Sequence, residues 1–141
     1  MTARSIAIAV IRRADGALLV TSAVEPGTAE TGTPRTLVRP PGGGIDPGER
    51  AADAVARELQ EELGLAVTGI APLGVIEHRV AFAGRELHER VHVFAAQMRA
   101  DASLPPVTDA GHPVWWLTPD RFDDPALEIV PAGLLELVAA D

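Results

Sequence analysis

The stretch PGGGIDPGERAADAVARELQEELGL, Pro41 to Leu65, decides how this chain is read. Three consecutive glycines lead into a segment in which Ala52, Val55, Leu59 and Leu63 recur at three- and four-residue steps. That spacing makes one apolar stripe and predicts a helix over 51–63, with Gly64 as its stop. Each helical residue rotates by about 100°, so with Arg57 as origin Glu58 falls at about 100°, Glu61 at about 40° and Glu62 at about 140°. The apolar stripe centres at about 200° on the same wheel. The helix therefore has a greasy side and, next to it, an acidic one.

A solvated surface is the simplest account of clustered glutamates, but it fits poorly. Glu58 and Glu62 form an i,i+4 like-charge pair and Glu58 and Glu61 an i,i+3 pair, each costing about 0.2–0.5 kcal/mol. Only Arg57 stands ready to offset them. Glu61 and Glu62 also lie in the last turn, where the helix dipole disfavours negative charge. A hard divalent cation bound by the carboxylate oxygens would remove the penalty. The glycine run adds to this. Without Cβ atoms, Gly42, Gly43 and Gly44 let backbone approach a ligand closely, and such a helix entrance can aim N–H or C=O groups at a phosphate–metal cluster. A plain strand-to-helix turn would need only one glycine.

The spacing of Gly43, Glu49 and the run RELQEELGL, Arg57 to Leu65, resembles the Nudix box, with every defined position filled. RPPGGGIDPGE, GRELHERVHVF and VPAGLLEL are also similar to segments of many bacterial Nudix proteins. The resemblance implies an α/β (α+β) fold, an α/β/α sandwich with a mixed β-sheet and a loop–helix–loop catalytic element. It implies metal-dependent hydrolysis of a nucleoside diphosphate linked to another group. Carried over by position, Glu58, Glu61 and Glu62 would bind Mg2+ or Mn2+, with a carbonyl from the glycine run, Gly42 foremost, as a further ligand. Arg57 and Glu49 would pair and tie the loop to the helix. The general base is left open. It is one of the box glutamates or a carboxylate outside the box, with Glu89 and Asp109 as candidates and Glu86 and Glu128 behind them. A nucleotide-binding sensor without turnover is the alternative function, and the intact box speaks against it. An isoprenoid diphosphate isomerase on a related fold is less suited to a short chain without cysteine.

HERVH, His88 to His92, offers rival chemistry, because HExxH on a helix holds zinc with both histidines. The surrounding RVHVF is β-branched and aromatic and predicts a strand. Four strand steps separate the histidines by roughly 13 Å, too far for one zinc whose ligands lie at ~2 Å. The protease reading is set aside, and the two histidines are expected on one face of a strand.

The remaining composition narrows the field. The 141 residues match one domain, spanning 1–141. The formal charge of −8 argues against nucleic-acid backbones as partners. No apolar run approaches the ~20 residues of a membrane span, and MTARSIAIAVIRR lacks a cleavage-site pattern, so a cytoplasmic location is expected. All basic residues are arginine and cysteine is absent, which excludes a P-loop lysine, lysine Schiff bases and thiolate zinc sites. Nothing in the sequence requires a homodimer, although that state is common among soluble chains.

Outward from the box, SIAIAVIRR and ALLVTSAV read as strands joined at ADG in a hairpin, and RTLVRP as a short strand. LGVIEHRVAF and HERVHVFAAQM read as strands split by AGRE, VWWLT as another, and VPAGLLELVAAD as a closing helix. Arg39, beside the glycine run, is a candidate phosphate clamp together with Gly42, Gly43 and Gly44; Arg4, Arg12 and Arg79 are further candidates. Trp115 and Trp116 would face opposite ways, one in the core and one able to stack on a base. Substrate choice is expected in the loops at 25–35 and 100–113.

Overall fold

In the computed structural model, residues 3–25, 27, 32–82 and 84–140 are described. Among these described residues, eight strands form two four-stranded sheets. The first runs β4–β1–β6–β5, with β1 at Arg4–Val10, β4 at Gly42–Gly44, β5 at Val67–Phe82 and β6 at Arg85–Met98. The second runs β7–β2–β3–β8, with β2 at Leu18–Glu25, β3 at Arg35–Arg39, β7 at Val114–Leu117 and β8 at Leu127–Ile129. Both sheets are mixed: β1 is parallel to β6 and β3 is parallel to β8, while the other pairs are antiparallel. The mixed β-sheet of the sequence reading is thus divided into two.

β1 explains why SIAIAVIRR alternates poorly. Its strand lies inside a sheet covered on both faces, which favours a continuous apolar run. Ile6, Ile8 and Val10 point into a core shared with Leu18, Val20 and Val38 of the second sheet and with Leu134 and Val138. Ala7, Ala9 and Ile11 point the other way, against Val55, Leu59 and Leu63. The small alanines let the helix α1, Ala51–Leu63, lie close to the sheet. A second helix, α2 at Leu134–Ala139, caps the opposite core. The helix–sheet–helix layering follows from these two faces.

Helix α1 has the bounds its stripe predicts, and Gly64 ends it in a left-handed conformation at φ 63°. The N–H of Gly64 donates to the Gln60 carbonyl at 3.0 Å and that of Leu65 to the Leu59 carbonyl at 3.3 Å.

Two local expectations change, and one strand adds to them. The hairpin of the first two strands is only a turn: Arg12 bridges Leu18, and then the strands part into different sheets. Both are needed inside separate sheets, so tertiary packing overrides local pairing. The closing helix spans 134–139 rather than the whole tail, because Pro131 has no N–H to donate and Gly133 sits at φ 91°. β8, three residues long, is too short to read from the sequence. Half of the loop at 25–34, and Ala83 of the AGRE turn, lie outside the described residues. Among the described residues, no helix is long and apolar enough to cross a membrane.

Candidate active site

The glycine run is a strand, not a free loop, and this places the site. Ala9 N–H donates to the Pro41 carbonyl at 2.9 Å and Ile45 N–H to the Ser5 carbonyl at 3.0 Å, with Ala7 opposite Gly43 between them. In an antiparallel ladder alternate residues turn their polar groups to the partner. Pro41, Gly43 and Ile45 therefore face β1, while Gly42 and Gly44 present their N–H and C=O groups on the free edge. Helix α1 lies along that edge. A Cβ on Gly42 would come 2.0 Å from the Ala7 carbonyl oxygen, and one on Gly43 would come 2.5 Å from a Glu58 carboxylate oxygen. Only glycine permits both approaches.

Arg57 organises the loop between strand and helix. Its Nε donates to Glu49 Oε2 at 2.8 Å and its Nη2 to Glu49 Oε1 at 2.9 Å. Nη2 also donates to the outward carbonyl of Gly44 at 2.9 Å. Nη1 reaches Glu58 Oε1 and Glu61 Oε2, both at 3.1 Å. Glu49 is held down to about 2 by the Arg57 guanidinium and the Asp46 N–H, and its partners raise the pKa of Arg57. One guanidinium thereby fixes the glycine strand, the loop acid and two helix acids, a use of the arginine fork that lysine could not copy.

The three helix acids differ in setting. Glu58 is nearly covered, with 16% of its side chain exposed, whereas Glu61 is 55% exposed. Glu62 is half-buried, and the nearby Gly42 N–H works to lower its pKa. Burial, and then the negative charges of Glu58 and Asp109, push Glu62 up to about 7, against the pull of Arg39. Charge crowding at Glu58 and Glu62 thus matches the wheel, and Glu61 stands outermost, against Arg57.

Among the described residues, no three His, Cys, Asp or Glu side chains sit together at metal-ligating spacing. Arg57 takes up oxygens of Glu58 and Glu61. The donor chemistry nevertheless fits a hard cation: Glu58 and Glu62 repel one another at partial burial, and the Gly42 carbonyl is on the same free edge. A divalent ion is the species that relieves such crowding with oxygen ligands.

Outside the box, Asp109 lies beside Glu62, its N–H donating to the Glu62 carbonyl at 3.2 Å. Glu89 is buried at 6% exposure on β6. Its Oε1 stands 3.9 Å from Nη1 of Arg39. Arg39, with its pKa lowered by burial, is acted on by Glu89, Glu62, Arg4 and Glu58 in turn, so it borders the acid face. Arg4 stands at Gly44, where a Cβ would lie 2.9 Å from its Nη2. Glu86 pairs with Arg79 at 3.3 Å, and Glu128 with Arg35. His88 and His92 lie on strand β6, and His88 Nε2 is 3.3 Å from Glu77 Oε2. The strand geometry removes the zinc reading. Trp115 and Trp116 pack against opposite cores, each under an arginine, Arg121 at 5.5 Å and Arg13 at 5.0 Å; neither is a free stacking platform. What sequence reasoning missed is His78, buried at 7% opposite Glu89. Its only signal was a histidine within β5, flanked by Glu77 and Arg79.

The NUDIX domain model matches residues 1–138, and the chain belongs to that family. It is 33% identical over 97 residues to an uncharacterised Nudix hydrolase, orf19, of Rhodococcus erythropolis, covering 64% of this chain and 52% of that protein. The chain thus spans about half the length of the curated relative it matches. A MutT NUDIX hydrolase from Burkholderia pseudomallei superposes with a TM-score of 0.64 at 24% identity, over 100% of both chains. A NUDIX hydrolase from Nitrosomonas europaea gives 0.65 at 19% identity, over 98% of this chain and 87% of that one. Those two likenesses establish the fold.

Proposed function

We propose that this protein is a metal-dependent pyrophosphohydrolase that cleaves the diphosphate linkage of a small nucleotide derivative by attack of water on phosphorus. The observation that carries the reading is the approach of two acids of α1 to the glycine strand, Glu58 against Gly43 and Glu62 within the influence of the Gly42 N–H. Glu58, Glu61, Glu62 and the Gly42 carbonyl would hold Mg2+ or Mn2+. Bound there, such an ion supplies neutralisation of the diphosphate charge and a lowered pKa for the attacking water.

The chain's own residues do the rest. Arg57 and Glu49 keep strand and helix in register. Arg39 offers the diphosphate a guanidinium, whose planar fork matches phosphate oxygens. A carboxylate at hydrogen-bond reach accepts the proton of the water, and Asp109 and Glu89 are the candidates beyond the helix acids. The outward N–H and C=O groups of the glycine strand lie along the same edge. A cytoplasmic enzyme acting on small nucleotides needs no positive surface, in keeping with the charge of −8.

The test is a screen of nucleoside triphosphates, sugar nucleotides, ADP-ribose and dinucleoside polyphosphates with chromatography of the nucleotide products, with and without Mg2+. Mg2+-dependent formation of a shortened nucleotide from one class supports the reading. A compound that raises Tm but is never consumed would instead favour the sensor.

A further inference from the structure

Among the described residues, β5 is the long strand with an open edge. It ends the first sheet, whose other edge, β4, lies along α1. The outer strands of the second sheet, β7 and β8, have only 4 and 3 residues. An unpaired strand edge is a template for another strand, and proteins blunt it with proline, bulges or short length. The first half of β5 is blunted in this way. Pro72 lacks an N–H, Gly69 turns to φ 63°, and the register with β6 shifts between Thr68 and Ala71 and again between Pro72 and Gly74. The second half is not blunted: from Gly74 to Phe82 the pairing with β6 is unbroken and holds no proline.

Phe82 pairs with Arg85, with two residues between them. In such a hairpin that pair exchanges hydrogen bonds and the ladder alternates from it. His78 therefore bonds to β6, whereas Val75, Glu77, Arg79 and Ala81 turn their N–H and C=O groups to the open edge. The Ala81 carbonyl accepts from Arg35 Nη1 at 2.7 Å, in keeping with a group outside the β5–β6 ladder. The same four residues are exposed, Val75 to 55%. VIEHRVA, Val75 to Ala81, also reads alike from both ends, with apolar residues outside, Glu77 and Arg79 inside and His78 at the centre.

We propose that two copies of this chain join antiparallel along their β5 edges, about a two-fold axis at His78, to make one continuous sheet. Such an interface is closed and self-complementary. Glu77 then lies opposite the partner's Arg79, and Arg79 opposite the partner's Glu77, both at hydrogen-bonded positions. Val75 lies opposite the partner's Ala81. Opposite charges across a ladder stabilise it and like charges destabilise it. A register two residues away in either direction sets Glu77 against the partner's Glu77 or Arg79 against the partner's Arg79. A shift of one residue sets open groups against groups already used by β6. The register centred on His78 avoids both faults. It also extends the ion pairs within each copy, Arg90 with Glu77 at 2.8 Å and Arg79 with Glu86 at 3.3 Å, into a row of alternating sign. A strand of another protein could use the same edge, but the symmetric charge pattern selects a second copy. Two strand edges make a small interface, of the class that forms weak complexes.

The test follows the mass of the full chain by analytical ultracentrifugation up to about 1 mM, where weak association is still populated. The mass should rise from one chain towards two, and amide exchange at Val75, Glu77 and Arg79 should slow in step with it. Glu77→Arg and Arg79→Glu each set like charges across the ladder. Each should weaken association by about 10-fold or more while keeping the native circular dichroism spectrum. The two substitutions combined restore opposite charges and should restore the native dissociation constant. A single-chain mass throughout, association unaltered by either reversal, or a folded double variant no stronger than the single ones overturns the proposal. Amide exchange is read on the native chain, so it decides the matter even where a variant does not fold. A dimer in which those three amides keep their monomer exchange rates also overturns it.

Discussion

Arg57 and Glu49 are joined by two parallel hydrogen bonds, at 2.8 and 2.9 Å, across the turn between the glycine strand and helix α1. The same guanidinium holds the Gly44 carbonyl, so strand, loop and helix share one tie. Arg57→Lys keeps the charge and loses the fork. Turnover should fall roughly 10- to 100-fold, as for other residues that orient ligating groups, with the fold retained. The pair also carries a pH signature. Glu49 is depressed to about 2, so its contribution to stability is present above the ordinary carboxylate range and lost as pH falls through about 2. Acid unfolding of Glu49→Gln should lack that component, as a comparison of Tm against pH will measure.

Glu62 behaves in the opposite sense. Burial and the charges of Glu58 and Asp109 raise it to about 7. A carboxyl with a raised folded pKa contributes stability that is fully present below its unfolded value and lost as pH rises through about 7. Metal-free protein should therefore lose stability between about pH 4.5 and 7 through this group. Glu62→Gln removes the ionisation, so its metal-free Tm should exceed the native one at about pH 8 and the difference should shrink at about pH 4.5. A variant less stable than the native protein under the alkaline condition would contradict the crowding.

The glycine strand makes a graded prediction. Gly42→Ala drives a Cβ to 2.0 Å from backbone, the Ala7 carbonyl, and must displace β4. It should cost about 2–4 kcal/mol by overpacking and backbone strain and lower Tm accordingly. Gly43→Ala meets only a side chain, Glu58 at 2.5 Å, which can rotate away. Its Tm should change little while turnover falls at least about 10-fold, the loss expected when a ligating group is displaced. Equal Tm losses in the two variants would contradict the pairing of β4 with β1.

Helix α1 and its acid face were legible because a one-sided stripe and a like-charge cluster each carry a local signal. The family's box added Glu49 and Arg57 by spacing alone. The glycine run was not readable as a strand, because glycine has a weak strand propensity and the pairing with β1 is tertiary. The first hairpin was misjudged for the same reason: local spacing cannot reveal that two adjacent strands join separate sheets. His78 and Glu89 are distant in the chain and meet only through the β5–β6 register. Their pairing has no signature in sequence.

The most direct test of the metal-dependent reading is the rate of nucleotide hydrolysis by native protein and Glu62→Gln, across a Mg2+ titration, with circular dichroism on both. Mg2+-dependent hydrolysis by the native chain is expected, with a loss of at least about 100-fold in the folded variant. Hydrolysis at the native rate by Glu62→Gln in saturating Mg2+, or a native rate unchanged by removal of divalent ions, would contradict it.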